Sequence, residues 1–162
     1  MMDLRGLLRI LAEHKVDFII VGGVAATLHG SSRVTRDLDV VYDRSPQNLR
    51  RIVAALRGHH PYLRGAPPGL PFSWDEGRLR RGLNFTLESD LGNLDLLGEI
   101  TGGGDYGDLR PHSVELEAFG LRLLCLDLDT LIRVKQAAGR VRDLESVAEL
   151  RVIRKERDRG RS

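Results

Sequence analysis

The feature of this sequence that most restricts its fold is a short apolar run containing two aspartates. Residues 34–43 read VTRDLDVVYD, so Asp37 and Asp39 stand two positions apart in a segment that otherwise predicts a buried β-strand. Residues i and i+2 of a strand point to the same face, which places both carboxylates side by side. At about 4 Å, two such charges repel by roughly 4 kcal/mol at an effective dielectric constant near 20. A divalent cation, Mg²⁺ above all, would neutralise them.

The alternative for Asp37 and Asp39 is an edge strand whose aspartates simply face water. The sequence contains an internal comparison, because Asp127 and Asp129 form a second D-x-D pair in LDLDT. That second pair stands directly before a helical pattern, where aspartate is a preferred N-terminal cap. We therefore assign no catalytic role to the second pair and treat only the first as a candidate metal site.

A glycine pair precedes the acidic strand and strengthens this interpretation. Gly22-Gly23 ends the β-branched run VDFIIVG, and VAATLHG then favours a helix closed by Gly30. Glycines at such a strand end let the backbone approach a ligand closely, and the free N–H groups of a helix start favour an anion. A lone Gly-Gly is more often a turn, and no Walker-type G-x-x-x-x-G-K-[ST] motif occurs.

The rest of the chain predicts strands and helices in alternation. Asp3 can cap a helix to about His14, and Ser45 with Pro46 opens another to about Arg57. Strands are predicted at VDFIIVG, at residues 37–42, at the hairpin formed by GLNFTLES and NLDLLGEI, and at SVELEAFG, with irregular loops at residues 59–75 and at GGGDYGD.

Two helical patterns, DLDTLIRVKQAAG and RDLESVAELRVIRKERDRG, end the sequence. The predicted fold class is therefore α+β, a mixed β-sheet flanked by helices with a C-terminal helical pair. We expect one domain over residues 1–162, with a core of about 1–126 and the helical pair at about 127–158.

Composition excludes several classes of protein. No apolar run approaches the roughly 20 residues that span a bilayer, so we expect no membrane segment. The opening MMDLRGLLRILAEHK predicts an amphipathic helix instead of a secretory leader, and cytoplasmic location is the default expectation. Cys125 is the single cysteine, which excludes an internal disulfide and a cysteine zinc site. Residues 151–162 are strongly basic and could contact a polyanion, although a solvated helix end explains them equally well.

The motif as a whole resembles a known superfamily. Gly22-Gly23, thirteen intervening residues and then Asp37-Leu-Asp39-Val are similar to the signature of the DNA polymerase beta-like nucleotidyltransferases. The string VGGVAATLHGSSRVTRDLDVV resembles more specifically the small bacterial nucleotidyltransferases related to abortive-infection toxins. That subgroup also carries a third acid in a context such as GNLDLL and a late K-x-x-x-GR-x-x-D segment. This chain has both, as Asp95 and as residues 135–143, so the resemblance spans roughly residues 15–150.

The resemblance implies a nucleotidyltransferase-type sheet and a two-metal site. Asp37 and Asp39 would hold two Mg²⁺ ions, Asp95 would join them at one metal, and Gly22 and Gly23 would cradle the triphosphate. The implied reaction is in-line attack of a hydroxyl on the α-phosphorus of a nucleoside triphosphate, ATP among them, with release of pyrophosphate. Considered without the family, Asp95 is equally well an outward-facing charge on an alternating strand.

Further nucleotide-binding residues follow from the same resemblance. Many relatives have serine where this chain has Gly23, and Ser31 or Ser32 could supply the missing hydroxyl contact. The basic residues expected to bind phosphates are Arg33, Arg36, Lys135 and Arg140, since guanidinium and ammonium groups match phosphate oxygens. Surface solvation is the alternative for Arg36, and salt bridges to nearby carboxylates are the alternative for Lys135 and Arg140.

Two functions are therefore compatible with the sequence. The first is a Mg²⁺-dependent nucleotidyltransferase that moves a nucleoside monophosphate to the hydroxyl of an RNA end, a protein or a small molecule. The second is a non-catalytic nucleotide- or RNA-binding protein of the same fold. A toxin–antitoxin role, with an antitoxin protein as partner, is compatible with both.

Overall fold

A computed structural model describes residues 2–161 as a mixed sheet flanked by helices. The helices are α1 (Leu4–Glu13), α2 (Gly22–Leu28), α3 (Pro46–Leu56), α4 (Glu76–Arg81), α5 (Tyr106–Leu109), α6 (Leu128–Ala138) and α7 (Val141–Gly160), with 3₁₀ turns at Arg57–His59 and Arg110–His112. The strands are β1 (Phe18–Val21), β2 (Asp37–Tyr42), β3 (Tyr62–Leu63), β4 (Phe85–Glu88), β5 (Asn93–Leu97), β6 (Glu99–Ile100), β7 (Gly104–Asp105), β8 (Ser113–Ala118) and β9 (Leu121–Leu126).

The sheet places the acidic strand β2 in its interior. Within residues 2–161, seven strands pair in the order β3-β4-β5-β2-β1-β9-β8, while β6 and β7 form a separate hairpin. Strand β2 runs antiparallel to β1 and parallel to β5, and β1 runs parallel to β9. The predicted α+β mixed sheet with a C-terminal helical pair is confirmed. Because β2 has a neighbour on each side, the edge-strand alternative for Asp37 and Asp39 is wrong.

Side-chain caps start the helices where the sequence predicts them. Asp3 accepts a hydrogen bond from the Gly6 amide at 2.9 Å, and α1 then buries an apolar face against the core. Ser45 caps α3 with Pro46 in its first turn. Asp127 accepts a hydrogen bond from the Thr130 amide at 2.7 Å at the start of α6. Each cap satisfies an amide that has no partner inside its own helix.

Several elements differ from the predictions, among them helix α4 and strand β9, which were not predicted. Helix α2 begins at Gly22 itself, so no separate turn precedes it. The predicted irregular loop at residues 59–75 contains β3, which pairs with β4. The predicted loop GGGDYGD contains β7 and the start of α5. Strands β3 and β7 have two residues each, which is shorter than the roughly four to eight residues over which alternation can be recognised, so pattern reasoning does not detect them.

The C-terminal helices pack beside the acidic strand. Helix α6 contacts α2 and α7, and α2 contacts β1 and β2. Arg157 near the end of α7 donates to the His29 carbonyl at 3.0 Å, which attaches the long helix to the end of α2. In the part of the chain from residue 2 to 161, every helix is too short or too polar to cross a membrane.

Candidate active site

The three predicted acids lie on two adjacent parallel strands. In the register of β2 against β5, Asp39 stands opposite Asp95 and Asp37 stands opposite Asn93. The Asn93 amide donates to the Asp37 carboxylate at 3.0 Å. Parallel strands in register turn facing residues to one side of the sheet, so the structure brings Asp37, Asp39 and Asp95 together.

Of these three carboxylates, Asp39 is the one whose negative charge is least compensated by its surroundings. Its Oδ1 atom is buried and has no hydrogen-bond partner among residues 2–161. Burial, followed by the neighbouring Asp95 and Asp37 carboxylates, raises the pKa of Asp39 to about 7, and only Lys135 acts in the opposite direction. An ionised Asp39 therefore needs a positive charge close to its buried oxygen.

Arg64 already supplies a positive charge to the other two acids. Its Nη2 atom lies 2.5 Å from Asp95 Oδ1 and its Nη1 atom lies 3.7 Å from Asp37 Oδ2. Nη2 also donates to the Leu87 carbonyl at 2.9 Å. The guanidinium thus neutralises Asp95 and Asp37 and leaves Asp39 unpaired.

The glycine pair is packed directly against the acidic strand. A Cβ atom on Gly22 would lie 2.3 Å from Asp39 Oδ2, and one on Gly23 would lie 2.7 Å from Thr35 Oγ1. Gly22 also has a φ of +67°, a conformation that favours glycine. Both positions need glycine for contacts within the protein itself. Whether the pair also cradles a triphosphate stays a prediction.

A cleft of about 360 Å³ opens beside these acids. Its lining consists of Gly22, Gly23, Ala26, Ser31, Arg33, Val34, Thr35, Arg36, Asp37, Asp39, Lys135, Arg140, Arg142, Asp143 and Ser146. Of the predicted site residues, Asp95 and Ser32 are absent from this lining. Asp95 lies on the side of Asp39 where Arg64 sits. The Ser32 hydroxyl donates to Glu149 at 3.0 Å, and the Ser31 hydroxyl donates to the same carboxylate at 2.5 Å.

Of the four predicted basic residues, two are engaged by α7. Arg33 pairs with Glu145 at 3.0 Å, and Arg140 pairs with Asp143 at 2.6 Å while capping the helix. Salt bridging, the alternative considered for Arg140, is therefore observed.

The other two basic residues face the cleft more freely. Burial lowers the pKa of Lys135, although the carboxylates of Asp143 and Asp39 act in the opposite direction. Arg36 is exposed, lines the cleft and has no ion pair within the described residues. Lys135 and Arg36 are thus the cleft cations best placed to meet an anionic ligand.

Two residues that contact the acids were not predicted. Asn93 could have been found, because it stands two positions before Asp95 on a strand predicted to alternate. Arg64 had no such signal, since it follows a two-residue strand inside a proline-rich segment. Its position depends on the pairing of β3 with β4, and that pairing is a tertiary contact.

The donor set fits a divalent cation that completes its coordination shell with water or phosphate oxygens. In the part of the chain that the structure describes, no group of three or more His, Cys, Asp or Glu side chains is arranged to hold a metal by itself. The buried, unpartnered oxygen of Asp39 beside Asp37 is nevertheless an acceptor that a cation would satisfy. Mg²⁺ commonly binds to one or two carboxylates and completes its shell with phosphates and water. The residues present fit that pattern.

Comparison with solved structures identifies the fold. The lincosamide antibiotic adenylyltransferase LnuA, in a lincomycin-bound crystal structure, is similar with a TM-score of 0.62 and 17% identity, covering 93% of this chain and 96% of the other. A candidate nucleotidyltransferase from Thermotoga maritima, TM1012, is similar with a TM-score of 0.57 and 19% identity, covering 90% and 88%. No protein-family profile and no curated protein sequence matches the chain.

The chain therefore has the nucleotidyltransferase type of fold over nearly its whole length. At these identities the likeness establishes the fold, and the activity has to be argued from the site. Neither structure belongs by its description to the abortive-infection subgroup, which stays a prediction.

Proposed function

We propose that this protein is a Mg²⁺-dependent nucleotidyltransferase that moves a nucleoside monophosphate from a nucleoside triphosphate to an acceptor hydroxyl. The observation that carries the proposal is the register of β2 and β5, which sets Asp39 beside Asp95 with a buried oxygen that lacks a partner. A protein that used these acids only as surface charges would have no reason to bury one of them unpaired.

The chain offers separate groups for the metal and for the phosphates. Asp37, Asp39 and Asp95 would hold the Mg²⁺ ions, and bound Mg²⁺ would stabilise charge on the attacking and leaving oxygens. Lys135 and Arg36 line the adjoining cleft and can bind the triphosphate by charge. Gly22 leaves the approach to Asp39 free of a side chain.

The reaction that suits these groups is a displacement at phosphorus. The acceptor oxygen forms a bond to the α-phosphorus, the bond from that phosphorus to the β-phosphate oxygen breaks, and pyrophosphate leaves. The hydroxyl proton passes to a carboxylate at the reacting centre, Asp95 or Asp39, and from there to water. Asp37, Asp39 and Asp95 are the carboxylates at the reacting centre, and the cleft cations hold the leaving pyrophosphate by charge.

We place a small hydroxyl-bearing molecule first among the acceptors. The support is the lincosamide adenylyltransferase, whose chain is covered to 96%, so its fold contains no large region that this chain lacks. RNA 3′ ends and protein side chains remain in the test, because a toxin role with an antitoxin partner would require one of them. Because that protein is named an adenylyltransferase, ATP is the first nucleotide to test as the donor.

The test is incubation with each α-labelled triphosphate, Mg²⁺ and a panel of small-molecule, RNA and protein acceptors. We expect Asp37→Asn and Asp39→Asn to reduce label transfer by on the order of 10²-fold or more, because each removes a carboxylate at the reacting centre. Asp129→Asn is the matched control, since this exposed aspartate belongs to the second D-x-D pair. Transfer that survives in both site variants would refute the assignment.

A second candidate function is favoured by the Arg64 contact. A guanidinium that permanently neutralises Asp95 and Asp37 would suit a non-catalytic nucleotide- or RNA-binding protein of this fold. Such a protein would be stabilised by a nucleotide without Mg²⁺, by about 2.7 kcal/mol at 100 times the dissociation constant. Stabilisation of that kind without label transfer to any acceptor would favour the second function.

A further inference from the structure

Arg64 occupies carboxylate oxygens that the proposed metal site would need. Its Nη2 atom is 2.5 Å from Asp95 Oδ1, and both side chains are mostly buried, with exposures of 24% and 21%. Its Nη1 atom lies 3.7 Å from Asp37 Oδ2, so the guanidinium bridges the two acids that flank Asp39. A guanidinium and a divalent cation at the same carboxylate oxygen repel each other, so each weakens the binding of the other.

The arrangement also leaves one donor and one acceptor unmet. Arg64 Nε and Asp39 Oδ1 are both buried without a hydrogen-bond partner among residues 2–161. Unpaired buried polar atoms cost free energy, and most of them in folded proteins are satisfied. Arg64 thus uses only some of its hydrogen-bond donors. Asp39 lacks a cationic partner, whereas Asp95 and Asp37 have the Arg64 guanidinium.

The backbone of Arg64 is fixed while its side chain reaches across two strands. The Arg64 amide donates to the Thr86 carbonyl at 3.0 Å, beside strand β4. A side chain released from the acids would therefore stay near the site. Its planar fork could then pair with phosphate oxygens.

We propose that Arg64 is a displaceable counter-cation, which competes with the divalent metal for Asp95 and Asp37 and so sets the metal affinity of the site. Without metal, Arg64 keeps these two acids neutralised. With metal, it is displaced from them. This inference rests on the proposed function in one respect, since both require a divalent cation at these acids.

The test is a titration with Mn²⁺ in the absence of nucleotide, with free Mn²⁺ measured by electron paramagnetic resonance. We expect Arg64→Gln to bind Mn²⁺ about tenfold more tightly than the wild type, because no charge-assisted hydrogen bond has to be broken first. Arg44→Gln is the matched control, since Arg44 is also half-buried and donates to the Leu79 and Arg80 carbonyls but contacts no carboxylate. Its Mn²⁺ affinity should equal that of the wild type.

A second measurement separates competition from general damage to the fold. Arg64→Gln should melt below the wild type without metal and recover that difference at saturating Mn²⁺, whereas Arg44→Gln should show no metal-dependent recovery. Should Arg64→Gln fail to fold, Arg64→Lys replaces it and should bind Mn²⁺ more tightly than the wild type, since a single ammonium cannot bridge both acids.

The possible outcomes distinguish this inference from the proposed function. Equal or weaker Mn²⁺ binding by the Arg64 variant, with wild-type binding that is lost in Asp39→Asn, would overturn the competition and leave the metal site standing. Absence of Mn²⁺ binding in every variant, including trials with a triphosphate present, would overturn both.

Discussion

The two D-x-D pairs of this chain have the same side chains and opposite surroundings. Asp37 and Asp39 begin an interior strand, face a third acid across the sheet and press against a glycine. Asp127 caps α6 through the Thr130 amide, and Asp129 points to solvent with 78% of its side chain exposed. The first pair therefore concentrates negative charge inside the sheet. In the second pair, one aspartate accepts a hydrogen bond from a helix amide and the other is solvated.

The difference shows that neighbours decide the chemistry of a carboxylate pair. Asp127 is held by an amide of its own helix, so its charge stabilises the fold. Asp39 has a buried oxygen without a partner, so its charge destabilises the fold until a cation arrives. Variants of each pair and of its surroundings can therefore test the comparison.

The largest expected effect concerns the glycine beside the first pair. In Gly22→Ala, the new Cβ would lie 2.3 Å from Asp39 Oδ2 and the residue would keep an unfavourable φ of +67°. We expect a loss of about 3 kcal/mol in the free energy of unfolding, together with loss of Mn²⁺ binding, because the Asp39 carboxylate must move. Chemical denaturation and the Mn²⁺ titration measure the two effects.

Gly139→Ala is the control, because Gly139 ends the helix that the second pair begins. Gly139 has a φ of +69°, but its added Cβ would meet no atom closer than 3.7 Å. We expect a loss of about 1 kcal/mol from the backbone conformation alone, with Mn²⁺ binding unchanged. Equal losses of Mn²⁺ binding in both variants would show that contact with Asp39 is not what Gly22 provides.

The sequence was sufficient for the parts of the site that depend on local pattern. Strand β2 has the predicted bounds of residues 37–42, and Asp95 lies on the predicted second strand of the hairpin. Helix caps at Asp3 and Asp127 were predictable because a cap depends on neighbouring residues only. Such features need no knowledge of which segments meet in space.

What the sequence could not supply are the contacts between distant segments. Ser32 was expected to meet a phosphate, yet its hydroxyl bonds Glu149, which lies 117 positions further along. The contact of Arg64 with Asp95 depends on β3, a strand of two residues whose pairing no periodicity indicates. Ion-pair partners are set by the packing of α7 and by β3, and both form only in the assembled fold.

The next effect is on the free energy of unfolding, which should rise when a carboxylate of the first pair is removed and fall when one of the second pair is removed. Asp39 has a pKa raised from 3.8 to about 7, so between these values the folded state binds more protons than the unfolded state and loses stability as pH rises. Asp39→Asn should therefore gain on the order of 2 kcal/mol at pH 8 without metal, and this gain should vanish near pH 4. Urea denaturation at both pH values measures it.

Asp127→Ala, in the second pair, should lower the free energy of unfolding instead of raising it. Removal of the cap leaves the Thr130 amide without its acceptor, and we expect a loss of about 1 kcal/mol at pH 8. A loss of stability in both variants at pH 8 would mean that Asp39 is already compensated in the metal-free protein.

The smallest expected effect belongs to Asp129 and its partner Arg154. Their side chains are 78% and 43% exposed and 3.3 Å apart, so a double-mutant cycle with Asp129→Asn and Arg154→Gln should give a coupling of about 0.5 kcal/mol or less. Added salt should abolish this coupling, because exposed charges are screened. The gain from Asp39→Asn should depend much less on added monovalent salt, because mobile ions screen partly buried charges less than exposed ones. A coupling at Asp129 that resists salt would mean that the second pair also lies in a low-dielectric site, and the contrast between the two pairs would then fail.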